Sequence, residues 1–347
     1  MPPSGSVDVH QHLWTPALVE ALRARRRPPY LDGWTLHVPG AAPFAADPLD
    51  HDVEARAGAA RADGLALAVV ALSAGLGVEH LPPDEAAAVL AGYHAGAAAL
   101  PAPFAAWAAA GLVEPDPAAL VARLDDGFVG LELPATALAD DAGWEHCAPL
   151  LAVLEERGAP LLVHPGPAAP APSAAPAWWS PVVDYVPQMH AAWFAFRAFG
   201  RPAFPRLRVC FTLLAGLAPL HGERLRARSG GDPAAAGRGR VDPDAFLDTS
   251  SYGPRAVDAV VRVLGVDVLV HGSDRPWAVP QSTGLGDAAD AVVHRDNPLR
   301  LLHGVRPAAH GGPGPRPPDG GPSRPRAVPV GAAASAAAPV PIQEGRR

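Results

Sequence analysis

Short apolar runs recur along the chain, at residues 7–13, 65–72, 103–107, 128–133, 161–164, 207–213, 245–248 and 268–271. Their length and their content of valine, leucine and phenylalanine predict strands. Between them lie alanine- and leucine-rich stretches with helical spacing, among them 83–100, 117–124, 144–157 and 254–264. Strands alternating with helices predict a parallel sheet, and eight such units in about 300 residues fit an α/β chain folded as a (β/α)8 barrel of the TIM type. In that architecture the loops at the carboxyl ends of the strands build the reactive face, so polar residues at strand ends become candidates.

The first run, Val7-Asp8-Val9-His10-Gln11-His12-Leu13, carries two histidines one residue apart. Side chains alternate along a strand, so His10 and His12 are expected on one face, with Val9, Gln11 and Leu13 on the other. Two neutral imidazoles on one rigid strand can chelate a divalent metal. Two later runs end in further ligand types: Leu161-Leu162-Val163-His164 stops at Pro165, and Val268-Leu269-Val270 leads into His271-Gly272-Ser273-Asp274-Arg275-Pro276. The first and eighth strands of a closed barrel are neighbours and the fifth faces them across the mouth, so His10, His12, His164 and Asp274 can converge. Three imidazoles and a carboxylate suit one divalent ion, zinc first, with manganese or iron accepting the same set.

In these motifs, and in Phe204-Pro205-Arg206-Leu207-Arg208-Val209-Cys210-Phe211, the chain resembles the amidohydrolase superfamily over residues 7–280. The resemblance is to amidohydrolase-related family 2, in the branch of aminocarboxymuconate semialdehyde decarboxylase and related aromatic-acid decarboxylases. It implies a (β/α)8 barrel with one metal ion held by His10, His12, His164 and Asp274. One position departs from the pattern. That branch usually carries a histidine at the end of strand six, followed by glycines, where it helps deprotonate metal-bound water or handle substrate protons. Here Leu213 stands in its place, within Phe211-Thr212-Leu213-Leu214-Ala215-Gly216.

With that histidine replaced, Asp274 becomes the expected catalytic proton acceptor. The sequence thus reads as a metal-dependent hydrolase, in which metal-activated water attacks a small ester, lactone or amide with Asp274 as base. The first alternative is a nonhydrolytic decarboxylase (carboxy-lyase) of an aromatic or unsaturated acid. The second is a barrel that binds metal without turnover.

Substrate contacts are expected from Trp34 and His37 after the first strand, and from Trp178 in the Pro/Ala-rich loop 165–181. His190 follows that loop, and Arg275 and Trp277 follow the eighth strand. Aromatic rings would suit a flat substrate, and Arg275 either meets a substrate carboxylate or forms a structural ion pair. Asp8 reads as structural, His271 as facing the helical layer and His221 as a helix-surface residue.

Composition narrows the chemistry further. All 28 basic residues are arginine, which removes a carbamylated-lysine metal bridge and Schiff-base catalysis. The formal charge of -7 gives nucleic acid no basic footprint, and Arg25-Arg26-Arg27 reads as the end of a helix. No apolar stretch approaches the roughly 20 residues of a membrane span and no leader pattern is evident, so a cytoplasmic enzyme of a small-molecule substrate is expected. The resemblance implies a homodimer. Cys147 and Cys210, the only cysteines, make neither a disulfide framework nor a thiolate zinc site. Residues 229–240 read as a loop. The barrel is expected over 1–305, followed at 306–347 by a Pro/Gly/Ala-rich tail too poor in large apolar residues to fold.

Overall fold

The computed structural model describes residues 5–304, apart from 40, 177 and 231–240; the expected tail and most of the 229–240 loop lie outside the described residues. The strands are β1 (Ser6–His12), β2 (Tyr30–Asp32), β3 (Thr35–His37), β4 (Phe44–Ala45), β5 (Leu65–Ala71) and β6 (Phe104–Ala106). They continue with β7 (Leu131–Pro134), β8 (Leu161–His164), β9 (Val209–Phe211), β10 (Ala245–Asp248) and β11 (Leu269–Val270). Eight of these, β1 and β5 through β11, occupy the eight apolar runs.

β1, β5 and β6 pair in parallel, as do β7 to β11 in chain order. Two parallel bridges, Ala108 with Leu131 and Gln11 with Arg275, join the two sheets into a ring. At these seams the Glu132 amide donates to the Ala108 carbonyl at 2.8 Å and the His12 amide to the Arg275 carbonyl at 2.6 Å. The result is a (β/α)8 TIM-type barrel. Its strands read as nearly unbroken apolar runs because both faces are covered, one by the lumen and one by helices. Helices follow the expected segments: Pro83–Ala98, Pro117–Asp125, Asp141–Arg157 and Pro254–Leu264. Pro16–Ala24 ends at Arg25, where the basic run begins. Asp116 and Asp140 cap their helices by accepting backbone N–H bonds.

Val7, Val9, Val69, Ala71, Leu162, Cys210, Phe246 and Val270 form one buried cluster drawn from strands around the whole ring, with Trp107 just past β6. This cluster fills the lumen. Val9 belongs to it, which corrects the strict alternation expected for β1. The register against β5 slips between Asp8 and Gln11, so that Val9 and His10 together oppose Val69, as in a β-bulge. The bulge turns Val7, Val9, His10 and His12 inward and leaves Asp8 outside. There Asp8 accepts from the His10 amide (3.1 Å), the Ser273 amide (3.1 Å) and Gln11 Nε2 (2.7 Å), tying β1 to the segment after β11.

The segment carrying Trp34 and His37 is a small antiparallel sheet of β2, β3 and β4, with His37 closing β3 and Trp34 in the tight turn between β2 and β3. No helix among the described residues is long and apolar enough to cross a membrane, and Cys147 and Cys210 are both free and buried.

Candidate metal centre

Each strand that delivers a candidate ligand ends at the same rim of the barrel. His10 and His12 close β1, His164 closes β8, and Asp274 follows β11 with φ 56°, a left-handed turn that swings its carboxylate over the mouth. One ligand atom from each of the four lies within 4.8 Å of all the others. The three imidazoles pack edge to face, with centroids 4.9, 5.0 and 5.1 Å apart. Asp274 Oδ1 stands 3.2 Å from His12 Nε2 and 3.8 Å from His10 Nε2.

The opposite ring nitrogens are all engaged. His10 Nδ1 meets Asp248 Oδ2 at 2.7 Å, His12 Nδ1 lies 2.7 Å from Ser73 Oγ and 3.2 Å from the Ala71 carbonyl, and His164 Nδ1 lies 2.9 Å from the Pro165 carbonyl. Engaged Nδ1 atoms orient each ring and leave the Nε2 lone pairs facing the centre, the usual support for a metal-binding histidine. Asp248 is itself fixed by the Leu213 amide (2.9 Å), the Ser250 amide (3.1 Å) and the Ser250 hydroxyl (2.6 Å). Glu132 faces the lumen from β7 and accepts from the Leu72 and Ala74 amides.

The electrostatics suit a cation. Burial opposes charge on His10, yet Asp248, then Asp274 and Glu132, raise its pKa to about 9. Burial and the neighbouring His12 and His10 hold His164 well below its ordinary value, so it stays neutral. Burial pushes Asp274 up, but the His12 hydrogen bond and the three imidazoles outweigh this and hold it below the ordinary carboxylate value. Three neutral-capable nitrogens and one carboxylate within this span fit a single ion with bonds of about 2.0–2.2 Å after small side-chain adjustment.

Solved structures share this architecture. IDCase from Metarhizium anisopliae, in apo form, matches with a TM-score of 0.66 and 16% identity, over 86% of this chain and 97% of its own. A 5-carboxyvanillate decarboxylase from Novosphingobium aromaticivorans, complexed with manganese and 4-hydroxy-3-methoxy-5-nitrobenzoic acid, matches at 0.62 and 15%, over 86% and 95%. The 2,6-dihydroxybenzoate decarboxylase from Rhizobium matches at 0.61 and 18%, over 87% and 99%. This chain has their fold. No protein-family model matches the sequence, and none of the curated proteins compared with it does either.

The other expected contacts fall into two groups. Trp277 stands beside the mouth, 5.6 Å from Trp14, 5.8 Å from His51 and 5.4 Å from Phe44 between ring centroids. Trp34 joins the same wall by stacking on His51 at 5.9 Å. The remaining side chains are engaged elsewhere or open to solvent. His37 stacks on Tyr30 at 4.3 Å, Trp178 is 58% exposed against Trp179, and His190 lies 5.0 Å from His221. Arg275 takes the structural option, pairing with Asp63 at 2.8 Å. His271 stacks on His294 at 4.2 Å.

Several residues at the site were not singled out by sequence reasoning: Trp14, His51, Ser73, Glu132, Tyr185, Asp248 and Ser251. Asp248 and Glu132 carried a signal, a carboxylate within an otherwise apolar strand run, since burial of a charge is costly unless it is bonded. Leu213 contributes only its backbone to the centre. It opens a run of left-handed residues, Leu213 to Leu217, with φ between 46° and 60°. Such a conformation costs roughly 1–2 kcal/mol per non-glycine residue and is held by packing, with Leu214 and Ala215 fully buried.

Proposed function

We propose that this protein is a metal-dependent carboxy-lyase that removes carbon dioxide from a small aromatic acid. The observation that carries the reading is the convergence of His10, His12, His164 and Asp274 at the carboxyl mouth of a barrel whose fold is that of aromatic-acid decarboxylases. A divalent ion in that cluster would supply the positive charge that holds the oxygens of the substrate and steadies charge developing on them. The aromatic wall of Trp34, Phe44 and Trp277, packed on the buried Trp14, offers flat apolar surface for a ring.

Decarboxylation asks a single proton transfer of the chain's own residues. Cleavage of the bond between ring and carboxylate leaves its electron pair on the ring carbon, releases carbon dioxide and requires one proton at that carbon. Asp274 is placed to relay it: Oδ1 faces the imidazoles, whereas Oδ2 lies 3.5 Å from the Ser251 hydroxyl, so a proton taken up from solvent on Oδ2 can pass to the ring carbon and leave the carboxylate ionised again.

Hydrolysis of a small ester, lactone or amide is the second reading, favoured by the Asp274 carboxylate being held ionised, as a base requires. Carbon dioxide release from hydroxybenzoates, run beside acid release from lactones and amides on metal-loaded protein, separates the two. Metal-dependent carbon dioxide release is expected. Acid release alone would select the hydrolase.

A further inference from the structure

The helix Tyr185–Ala195 follows the connection after β8 and packs against the segment Leu213–His221 at the end of β9. Its first residue points a phenol at the site. Tyr185 Oη lies 3.3 Å from where a Cβ on Gly75 would sit, and Gly75 is two residues past Ser73, the hydroxyl partner of His12. A side chain at residue 75 would crowd that hydroxyl, and glycine leaves it room.

The phenol has no hydrogen-bond partner among the described residues, and its oxygen is not sealed from solvent. Open to solvent, the hydroxyl can exchange a water for a ligand oxygen, whereas a ligand that displaces the water and offers no acceptor leaves it unpaired. Burial is the largest influence on Tyr185, and the charges of Asp274 and Asp184 act in the same direction, raising its pKa, so it remains a neutral donor at physiological pH. It makes no hydrogen bond to any of the four candidate ligands. Its charge interaction with Asp274 and its approach to the turn that carries Ser73 place it near the cluster, where it can meet the part of a substrate away from the carboxylate.

We infer that Tyr185 is a specificity-determining residue: its phenol donates a hydrogen bond to an oxygen substituent on the ring of the bound acid. The inference rests on the aromatic-acid reading and adds what that ring must carry, a hydroxyl or similar acceptor, and which side chain reads it.

The test is binding rather than turnover. Dissociation constants of benzoate and the three monohydroxybenzoates are measured by calorimetry on metal-loaded wild type and Tyr185→Phe, with metal content recorded for both. At least one hydroxybenzoate should bind wild type more tightly than benzoate. Tyr185→Phe should weaken that ligand roughly three- to tenfold, the effect of one neutral hydrogen bond, while benzoate shifts less than about twofold. Equal weakening of benzoate and hydroxybenzoates, or no weakening at all, would overturn the role of Tyr185 and leave the aromatic-acid reading intact. If no benzoate binds the metal-loaded wild type, the aromatic-acid reading falls and takes this inference with it.

Discussion

Gly272 and Asp248 share one space: a Cβ on Gly272 would lie 2.5 Å from Asp248 Oδ2, the oxygen that orients His10. The motif His271-Gly272-Ser273-Asp274 therefore serves the centre at two points, a carboxylate at its end and an absent side chain in its middle. Gly272→Ala should push Asp248 off His10 Nδ1. Loss of such an outer partner lowers metal affinity by about 10- to 100-fold, which a chelator competition would read. Unchanged affinity would mean that Asp248 does not orient His10.

The pH dependence of the metal-free protein follows from its buried histidines, among them His294, held at about 4 by burial and His271, and His164, held well below its ordinary value. His51 is held at about 4, by burial first and then by Arg56 and His12, and His94 at about 4 by burial and Arg123. Unfolded histidines take protons near pH 6.5, so between 6.5 and 4 the unfolded chain binds more protons and stability falls as pH falls. Each contributes on the order of 3 kcal/mol at full effect. His10 acts oppositely: raised to about 9, it contributes stability below 6.5 that is lost as pH rises toward 9. Urea midpoints of chelator-treated protein should therefore peak near pH 6.5. A midpoint that climbs steadily from pH 5 to 9 would contradict these assignments.

Gly216 sits within the left-handed run at φ 60°, and a Cβ there would lie 2.4 Å from the Val186 carbonyl. Gly216→Ala should destabilise the fold by roughly 1–3 kcal/mol and shift the helix that carries Tyr185. Thermal unfolding reads the first effect, and hydroxybenzoate affinity reads the second. A variant with wild-type values for both would show that the helix does not depend on this close approach.

The barrel was legible in the sequence because each strand, covered on both faces, is an apolar run that stands out against its neighbours. His10, His12, His164 and Asp274 were legible for a related reason: they stand on or just past those runs, and barrel closure brings their ends together. The bulge at Val9 and His10 was not, because it depends on the register against β5, which no local pattern of β1 encodes. Tyr185 and His51 reach the mouth through the paths of long connections, and neither spacing nor composition marks those paths. The β2–β3 hairpin did carry a local sign, Gly33 at the first position of a two-residue loop with φ 59°.

The central claim is that His10, His12, His164 and Asp274 together hold one divalent ion. Metal content by plasma mass spectrometry, on purified wild type beside a His10→Ala/His12→Ala variant, tests it most directly. The account expects about one equivalent of zinc, manganese or iron in the wild type and almost none in the variant. A wild type that stays metal-free after reconstitution with each of these ions would contradict it.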